Sequence, residues 1–248
     1  MPPQIIFIIP YRNRHQQKQF FINYIKIIMQ DIDNYEFYFS TQTDERPFNR
    51  GATKNIGFLA IKQKYPDHYK NITFVFNDVD TLPYDKDIIN YKTQHGIIKH
   101  FYGYTNALGG IVSITGHDFE RINGYPSYWA WGKEDNVIQQ RALKNRIKID
   151  RNNFFPIGHP NILQLFDGLE RVINKKGIKV ANEDTGSDGI SSIRNLNFEI
   201  QQNEILIYSF ETGENHYDIQ FQQYRLGENN SKHRKHNSFG LTNLLGSK

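Results

Sequence analysis

Three short runs rich in apolar residues, the first of them continuous, limit the fold of this chain more than any other feature of its sequence. The runs are IIFIIP (residues 5–10), YEFYFS (residues 35–40) and ITFVF (residues 72–76). Between them, apolar residues recur at helical spacing over residues 15–30 and 55–64. Continuous apolar runs are typical of strands that are buried on both faces, and their alternation with helices predicts a parallel α/β sheet.

The rest of the chain fits the same class with less regularity. Strands are predicted over residues 109–115, 205–210 and 217–224, and a helix over residues 134–145. A length of 248 residues allows one large domain, and neither a repeat nor a linker divides it. We expect a single α/β domain over residues 1–225, with a Rossmann-like, mostly parallel central sheet flanked by helices. Residues 226–248 are polar and basic and are expected to form a flexible tail.

Composition excludes several classes of protein. The chain has no cysteine, which removes disulfides, thiolate metal ligands and a cysteine nucleophile. A net charge of +4, partly from the run SKHRKH, is too mild and too local for a nucleic-acid binder, so no nucleic-acid partner is expected. The first residues lack a signal-peptide pattern, and no apolar run approaches the roughly 20 residues of a membrane span. Neither G-x-S-x-G nor a P-loop is present.

Two aspartates, Asp78 and Asp80, follow the third apolar run directly. Residues two apart in an extended segment point to the same side, with Val79 turned away between them. Hard carboxylate oxygens in this arrangement suit Mg²⁺ or Mn²⁺ together with substrate phosphates. A simple turn explains the same residues and is the more common case for an isolated D-x-D.

Arginines occur at neighbouring junctions between strands and helices. Arg12 and Arg14 follow the first strand, and Arg50 precedes a helix in PFNRG. Arginine recognises phosphate through its planar fork of donors, although solvated residues at a helix start explain each arginine taken alone. With the two aspartates, the three arginines indicate a site for a diphosphate and its metal ion.

The segment YWAWGKEDN (residues 128–136) contains both tryptophans of the chain and two adjacent acids. Tryptophan faces pack on sugar rings, and a neighbouring carboxylate can accept a proton from a sugar hydroxyl. Core tryptophans and acids that favour a helix dipole explain the segment equally well. His159 is a further, minor candidate for a metal ligand.

These motifs, in this order, resemble the β-1,4-galactosyltransferase family, which consists of metal-dependent inverting transferases with a GT-A fold. The matching segments are IIPYRNR, FNRGATKNIGF, FVFNDVDTLP, GGIVSITGHDFERINGYPSYWAWGKED and SDGISS, from about residue 5 to about residue 208. The resemblance implies a catalytic domain that moves a hexose or N-acetylhexosamine, of the Gal, GalNAc or Glc type, from a UDP-sugar to a sugar hydroxyl of a carbohydrate or glycoconjugate. The alternative is a catalytically impaired protein that binds carbohydrate or nucleotide-sugar on the same fold.

The resemblance also implies residue roles. The nucleotide-binding positions would be Pro10, Tyr11, Arg12, Arg14, Phe48, Arg50, Asp78 and Val79. The sugar-contacting positions would be Tyr104, Ala107, Gly109, Gly110, Trp131 and Asn136. Asp80, with Asp78, would bind Mn²⁺ or else Mg²⁺. Asp135 would be the general base, and Glu134 would help to position the site.

Three departures from the family pattern involve four positions. The histidine expected as a further metal ligand falls on Gln164 in an ungapped count, unless a local shift brings in His159. Asn136 replaces an acid and Lys133 a glycine on the acceptor side, so the acceptor is expected to differ from N-acetylglucosamine. Ala107 replaces a tyrosine that restricts the C2 substituent of the donor, which leaves room for an N-acetyl group.

Animal members of the family are anchored in Golgi membranes and contain disulfides. The lack of cysteine and of an apolar anchor in this sequence therefore predicts a cytoplasmic protein. Its source would be a bacterium, or a virus that acts in the host cytoplasm or carries the protein in the virion.

Overall fold

A computed structural model describes residues 1–166, 168, 170–174, 183–213 and 221–225. The four α-helices are α1 (His15–Ile28), α2 (Arg50–Lys64), α3 (Gly116–Arg121) and α4 (Glu134–Lys144). The strands are β1 (Ile5–Tyr11), β2 (Tyr35–Gln42), β3 (Thr73–Asn77), β4 (Thr81–Pro83), β5 (Ile97–Gly103), β6 (Ile111–Thr115), β7 (Lys148–Asp150), β8 (Phe155–Pro156), β9 (Ile162–Gln164), β10 (Glu170–Asn174), β11 (Arg194–Gln201), β12 (Glu204–Glu211) and β13 (Phe221–Arg225).

One large mixed sheet organises the described residues. Its order is β11-β12-β2-β1-β3-β6-β5-β7, with β8 also paired to β5. β1 runs parallel to β2 and β3, and β12 runs parallel to β2. β6 lies antiparallel between β3 and β5, and β11 is antiparallel to β12. The prediction of a single α/β domain with a mostly parallel sheet is confirmed, and β6 and β11 are the strands of reversed direction that make the sheet mixed.

Both faces of the sheet are covered, as the continuous apolar runs predicted. Alternate residues of β1 enter opposite cores: Ile6 and Ile8 pack with α2, α3 and α4, whereas Phe7 packs with α1. All seven residues of β1 are buried. Burial of apolar area on both faces is the main favourable term in the stability of such a layer.

Two element boundaries differ from the sequence predictions, and each has a physical cause. α2 begins at Arg50 and not at residue 55, because the side chain of Asn49 accepts a hydrogen bond from the backbone N–H of Ala52 and caps the helix. β6 begins at Ile111 and not at residue 109, because Gly110 has φ +73° and turns the chain. Residues 217–220 of the predicted late strand and the predicted tail (226–248) lie outside the described residues.

The N-terminal half of α2 is fixed against the segment that leads to α4. Asn55 is buried and exchanges two hydrogen bonds with the backbone of Tyr125, from Nδ2 to the carbonyl oxygen (2.7 Å) and from the backbone N–H to Oδ1 (2.9 Å). A Cβ atom on Gly51 would lie only 2.0 Å from the carbonyl oxygen of Pro126, so only glycine permits this approach. These contacts fix the first turn of α2 relative to the start of α4.

No helix within the described part of the chain is both long enough and apolar enough to cross a membrane.

Candidate active site

The candidate site lies at the edge of the sheet where β1 and β3 end. Because these strands are parallel, their carboxyl ends meet at one edge, which is the usual ligand-binding edge of an α/β sheet. Asp78 and Asp80 follow β3 there, and the backbone N–H of Asp78 donates to the carbonyl oxygen of Gly110 (3.0 Å). The turn after β3 is therefore fixed to the Gly109–Gly110 pair of the neighbouring segment.

Arg50 connects the two acidic motifs. Its Nε lies 3.2 Å from Oδ1 of Asp78, and its Nη1 lies 2.9 Å from Oε1 of Glu134 and 2.8 Å from Oδ2 of Asp135. One guanidinium in the first turn of α2 thus meets three carboxylates from two other parts of the chain. The three negative charges would repel one another without a cation between them.

Lys54 is a second cation in this cluster, and the sequence analysis missed it. Its Nζ donates to Oδ1 of Asp135 (3.1 Å) and lies 4.0 Å from the centre of the Tyr125 ring, and the residue is 1% exposed. Arg50 and Lys54 are four residues apart and so share one helix face, where like charges destabilise an isolated helix. The spacing of Arg50 and Lys54 in the sequence was therefore a sign that carboxylates lie opposite these two side chains.

Glu134 and Asp135 are adjacent, but their surroundings shift their pKa values in opposite directions. Burial raises the pKa of Glu134, and the neighbouring Asp135 charge raises it further. Burial also acts to raise the pKa of Asp135, but Arg50 and Lys54 outweigh it and hold that pKa below its usual range. Oε2 of Glu134 is buried and has no hydrogen-bond partner among the described residues. Asp135 is therefore the more acidic member of the pair and keeps its charge to a lower pH than Glu134 does.

Gly109 lies in close contact with the side chain of Asp135. The backbone N–H of Leu108 donates to the carbonyl oxygen of Asp135 (2.8 Å), and a Cβ atom on Gly109 would lie 2.5 Å from Oδ2 of Asp135. Next to Gly109, His100 is fully buried, and burial lowers its pKa to about 4. Arg151 donates to its Nδ1 (3.0 Å), so Nε2 carries the proton and donates to the carbonyl oxygen of Gly109 (3.1 Å). A neutral histidine thus holds the carbonyl oxygen of Gly109 in place.

The Gly109→Ala variant is expected to lower kcat by about 10- to 100-fold, because a displacement of a reacting group by about 1 Å costs up to about 10²-fold. The added methyl group must push the Asp135 carboxylate away from its present position. Steady-state kinetics would measure the effect. Gly213→Ala is the matched control, since among the described residues a Cβ atom there meets only Ser192, at 3.9 Å. An unchanged kcat in Gly109→Ala would show that this contact does not position Asp135.

The candidate metal ligands Asp80 and Gln164 lie in neighbouring segments of the backbone. β9 pairs antiparallel with β4, so that Gln164 lies opposite Thr81, the residue after Asp80, and the backbone N–H of Leu165 donates to the carbonyl oxygen of Asp80 (2.7 Å). Oε1 of Gln164 accepts from the hydroxyl group of Tyr102 (2.6 Å). The two Asp carboxylates and a Gln amide oxygen are hard ligands, and their chemistry fits Mn²⁺ or Mg²⁺.

His159 lies in the same segment, before the start of β9. Ile162 pairs with Pro83, and the backbone N–H of Ile162 donates to the carbonyl oxygen of His159 (3.0 Å). The His159 ring packs on Phe155, with the ring centres 4.8 Å apart. Of the two candidates for the remaining metal ligand, Gln164 is the one opposite Thr81, the residue that follows Asp80.

The predicted nucleotide-binding residues form the rest of this edge, with different degrees of contact. Pro10 and Tyr11 end β1 and are buried, and Val79 is also buried. Arg12 is partly buried and donates to the carbonyl oxygen of Arg46, and burial lowers its pKa. Arg14 is the residue before α1. Unlike Arg50, Arg12 is thus held by a backbone oxygen and not by Asp78.

Phe48 and the two tryptophans occupy different environments. The carbonyl oxygen of Phe48 accepts from the backbone N–H of Ala130 (3.0 Å). Trp129 is 1% exposed and stacks on Phe210, with the ring centres 5.3 Å apart. Trp131 is 50% exposed, and its backbone N–H donates to the carbonyl oxygen of Val172 (2.9 Å). The core interpretation therefore holds for Trp129, whereas Trp131 is available to a ligand.

The remaining sugar-side residues cluster around a short turn after β5. Tyr104 is 66% exposed, and its carbonyl oxygen accepts from the backbone N–H of Ala107 (3.1 Å). Ala107 is buried and lies just before Leu108 and Gly109 in the chain. Nδ2 of Asn136 donates to the carbonyl oxygen of Asn106 (2.9 Å). The first turn of α4 is thereby joined to this turn.

Two family models match adjacent parts of the sequence. The N-terminal region of glycosyl transferase group 7 matches residues 2–94, and a galactosyltransferase domain, described as N-terminal, matches residues 97–164. β-1,4-Galactosyltransferase 1 of Bos taurus is 29% identical over 81% of this chain and 52% of its own length. β-1,4-Galactosyltransferase 6 of Rattus norvegicus is 32% identical over 60% of this chain and 40% of its own length. The chain thus spans about half the length of the curated relatives it matches, or less.

Solved structures show the same fold. The catalytic domain of Drosophila β-1,4-galactosyltransferase 7 in complex with xylobiose superposes with a TM-score of 0.68 at 18% identity, over 86% of this chain and 95% of that one. A mutant of the same fly enzyme, solved with manganese, UDP-Gal and xylobiose, gives a TM-score of 0.67 at 17% identity. The GT-A arrangement expected from the sequence is therefore confirmed.

Proposed function

Because this chain belongs to the β-1,4-galactosyltransferase family, we propose that it is a metal-dependent inverting glycosyltransferase that moves a hexose or N-acetylhexosamine from a UDP-sugar to a sugar hydroxyl. One observation carries this proposal. Arg50 contacts both Asp78, on the side assigned to the nucleotide, and Asp135, on the side assigned to the acceptor. A donor and an acceptor bound at these two places would meet at a single point.

Asp135 is the general base in this proposal. Its carboxylate takes the proton of the acceptor hydroxyl while the hydroxyl oxygen forms a bond to the anomeric carbon. The bond between that carbon and the diphosphate oxygen breaks on the opposite face, and UDP leaves with the electron pair. The side chain of Asp135 is 23% exposed, which leaves it accessible to an acceptor.

Arg50 has a second task once the donor is bound. Arginine binds diphosphate oxygens with two parallel hydrogen bonds. When Arg50 donates some of its hydrogen bonds to the diphosphate and no longer to Asp135, Asp135 loses part of the positive charge that lowers its pKa. Its carboxylate then becomes a stronger base at the moment at which the acceptor proton must be removed.

The proposed metal ligands are Asp80, Asp78 and Gln164, with His159 as the alternative to Gln164. When bound there, Mn²⁺ or Mg²⁺ supplies positive charge that neutralises the leaving diphosphate. Gln164 is neutral, so this set carries less negative charge than a set of three carboxylates. Tyr102 orients the Gln164 amide through the hydrogen bond to its Oε1.

The direct test of this function is a panel of UDP-sugars. UDP-Gal, UDP-Glc, UDP-GalNAc and UDP-GlcNAc would be incubated with Mn²⁺ and simple mono- and disaccharide acceptors, and UDP release would be measured. Ala107 leaves room beside the donor's C2 substituent, so turnover of an N-acetylhexosamine donor is expected. Absence of UDP release from every donor, together with sugar binding that Mn²⁺ and UDP do not change, would favour the alternative of a binding protein.

The Asp80→Ala variant is expected to weaken metal-dependent UDP binding by at least about 10²-fold. Loss of an outer partner of a metal ligand alone costs about 10- to 100-fold in metal affinity, and loss of a ligand costs no less. Isothermal titration of UDP with and without Mn²⁺ would measure the effect. Asp67→Ala, which removes an exposed carboxylate before β3, is the control. Equal UDP affinities in Asp80→Ala and the native protein would remove Asp80 from the metal site.

Partners and location follow from the same proposal. A UDP-sugar donor and a carbohydrate or glycoconjugate acceptor are the partners that these residues favour. A cytoplasmic location stays a prediction from the cysteine-free composition.

A further inference from the structure

A second group of metal-ligating side chains lies far from the candidate active site. His95 precedes β5, and His117 and Asp118 lie in α3, directly after β6. Thr115 at the end of β6 pairs with Thr73 at the start of β3, whereas the aspartates of the candidate site follow the end of β3. The group therefore lies at the opposite edge of the sheet. We propose that His95, His117 and Asp118 bind a divalent transition-metal ion of the Zn²⁺ class.

The spacing of the three side chains permits coordination of one ion. Their ligand atoms all lie within 4.8 Å of one another, and the two imidazole ring centres are 4.7 Å apart. A tetrahedral Zn²⁺ site with bonds of about 2.0–2.1 Å separates its ligands by about 3.3 Å. Both histidines are exposed, so small rotations of their side chains can close the remaining gap without moving the backbone.

Hydrogen bonds already orient two of the three ligands. The Thr115 hydroxyl group donates to Oδ2 of Asp118 (3.0 Å) and lies 3.2 Å from Nδ1 of His95. Nε2–H of His95 donates to Oδ1 of Asn71 (3.2 Å), which leaves the lone pair on Nδ1, the ring nitrogen on the side of Thr115 and Asp118. A second partner on the far ring nitrogen is the usual arrangement of a metal-binding histidine.

Asp118 is a buried carboxylate that needs a counter-charge. It is 1% exposed, and its Oδ2 accepts from the backbone N–H of Gly96 (2.7 Å). Its Oδ1 faces Nδ1 of His117 at 3.2 Å, and His117 is its ion-pair partner among the described residues. A divalent ion bound at this group would place positive charge directly beside this buried carboxylate.

The ligand types separate this site from the catalytic one. Two imidazoles and a carboxylate suit Zn²⁺, Ni²⁺ or Cu²⁺, whereas the oxygen ligands near Asp80 suit Mn²⁺ or Mg²⁺. An ion bound here would connect the residues before β5 to the start of α3. Its expected effect is therefore on the stability of the sheet edge and not on turnover.

The test uses the full chain after treatment with a chelator, without sugar nucleotide. Zn²⁺ titration by calorimetry and Co²⁺ titration by visible absorption are expected to show one site in the native protein. The His95→Ala and His117→Ala variants are each expected to weaken that site at least tenfold and to abolish the Zn²⁺-dependent rise in Tm. His68→Ala, which removes an exposed histidine outside the group, is the matched control and is expected to bind as the native protein does.

The double variant His95→Ala/His117→Ala decides the outcome. Both side chains are exposed, so the variant is expected to fold, and its Tm without metal ions checks this. If it binds Zn²⁺ with the affinity and stoichiometry of the native protein, or if the native protein binds none, the proposed site does not exist. Mn²⁺-dependent UDP binding, measured on the same samples, is expected to be unchanged, so a failure here is distinguishable from a failure of the proposed function.

Discussion

The Asp135→Asn variant is expected to lose about 10²- to 10⁴-fold of kcat while it keeps its affinity for the UDP-sugar. General-base catalysis contributes about this much, and asparagine has nearly the same shape but cannot accept a proton. The amide still presents an oxygen to Arg50 or Lys54, so the cluster that fixes α2 to α4 persists in part. Single-turnover kinetics and titration of UDP-sugar with Mn²⁺ would separate the two quantities.

Two comparisons complete this experiment. Asp67→Asn makes the same chemical change at an exposed position and is expected to keep full turnover. Glu134→Gln is expected to be milder than Asp135→Asn, because burial already holds the pKa of Glu134 above its usual range and favours its neutral form. Full turnover in Asp135→Asn would show that another group is the base.

The Lys54→Met variant is expected to move the acid limb of the pH–rate profile upward by about one to two pH units. Lys54 helps to hold the pKa of Asp135 low, so its removal raises that pKa, and the carboxylate becomes protonated at a higher pH. A protonated carboxyl group cannot accept the acceptor's proton, so activity is lost as the pH falls through the raised pKa. A charge-assisted hydrogen bond contributes about 1.5–3 kcal/mol, which corresponds to about one to two pH units.

Two further variants separate charge from packing in this experiment. Lys54→Arg keeps the charge and is expected to restore most of the native profile, whereas Lys62→Met removes a partly exposed lysine, paired with Glu120, from the same helix and is expected to leave the profile unchanged. A lower Tm in Lys54→Met with an unchanged acid limb would mean that Lys54 only fills space.

Most of the fold was predictable because the hydrophobic pattern carries it. The continuous runs over residues 5–10 and 72–76 are typical of strands buried on both faces, and the structure buries β1 and β3 completely. The antiparallel direction of β6 was not predictable, since an apolar run has no direction of its own. The start of α2 was predictable in principle from Asn49, a strong N-cap residue that the helical periodicity alone did not reveal.

The candidate site was predictable where topology alone brings residues together. Residues after parallel strands share one edge, so Asp78 and Arg50 were expected to be close, and they are. The burial of Lys54 follows from packing between α2 and α4, which are far apart in sequence. The grouping of His95 with His117 depends on the antiparallel pairing of β5 with β6, so no local motif announced it.

The fluorescence of the two tryptophans is expected to report two different events, unfolding of the core and binding of a sugar. Trp129 is stacked on Phe210 and lies under the Arg46 guanidinium, 4.5 Å from it, so its emission is expected to lie to the blue and to report unfolding of the core. Trp131, half exposed beside the acids, is expected to emit to the red and to be accessible to a soluble quencher. Because the chain has 2 tryptophans in all, selective loss of the red, quenchable component would report a sugar at Trp131 without any label.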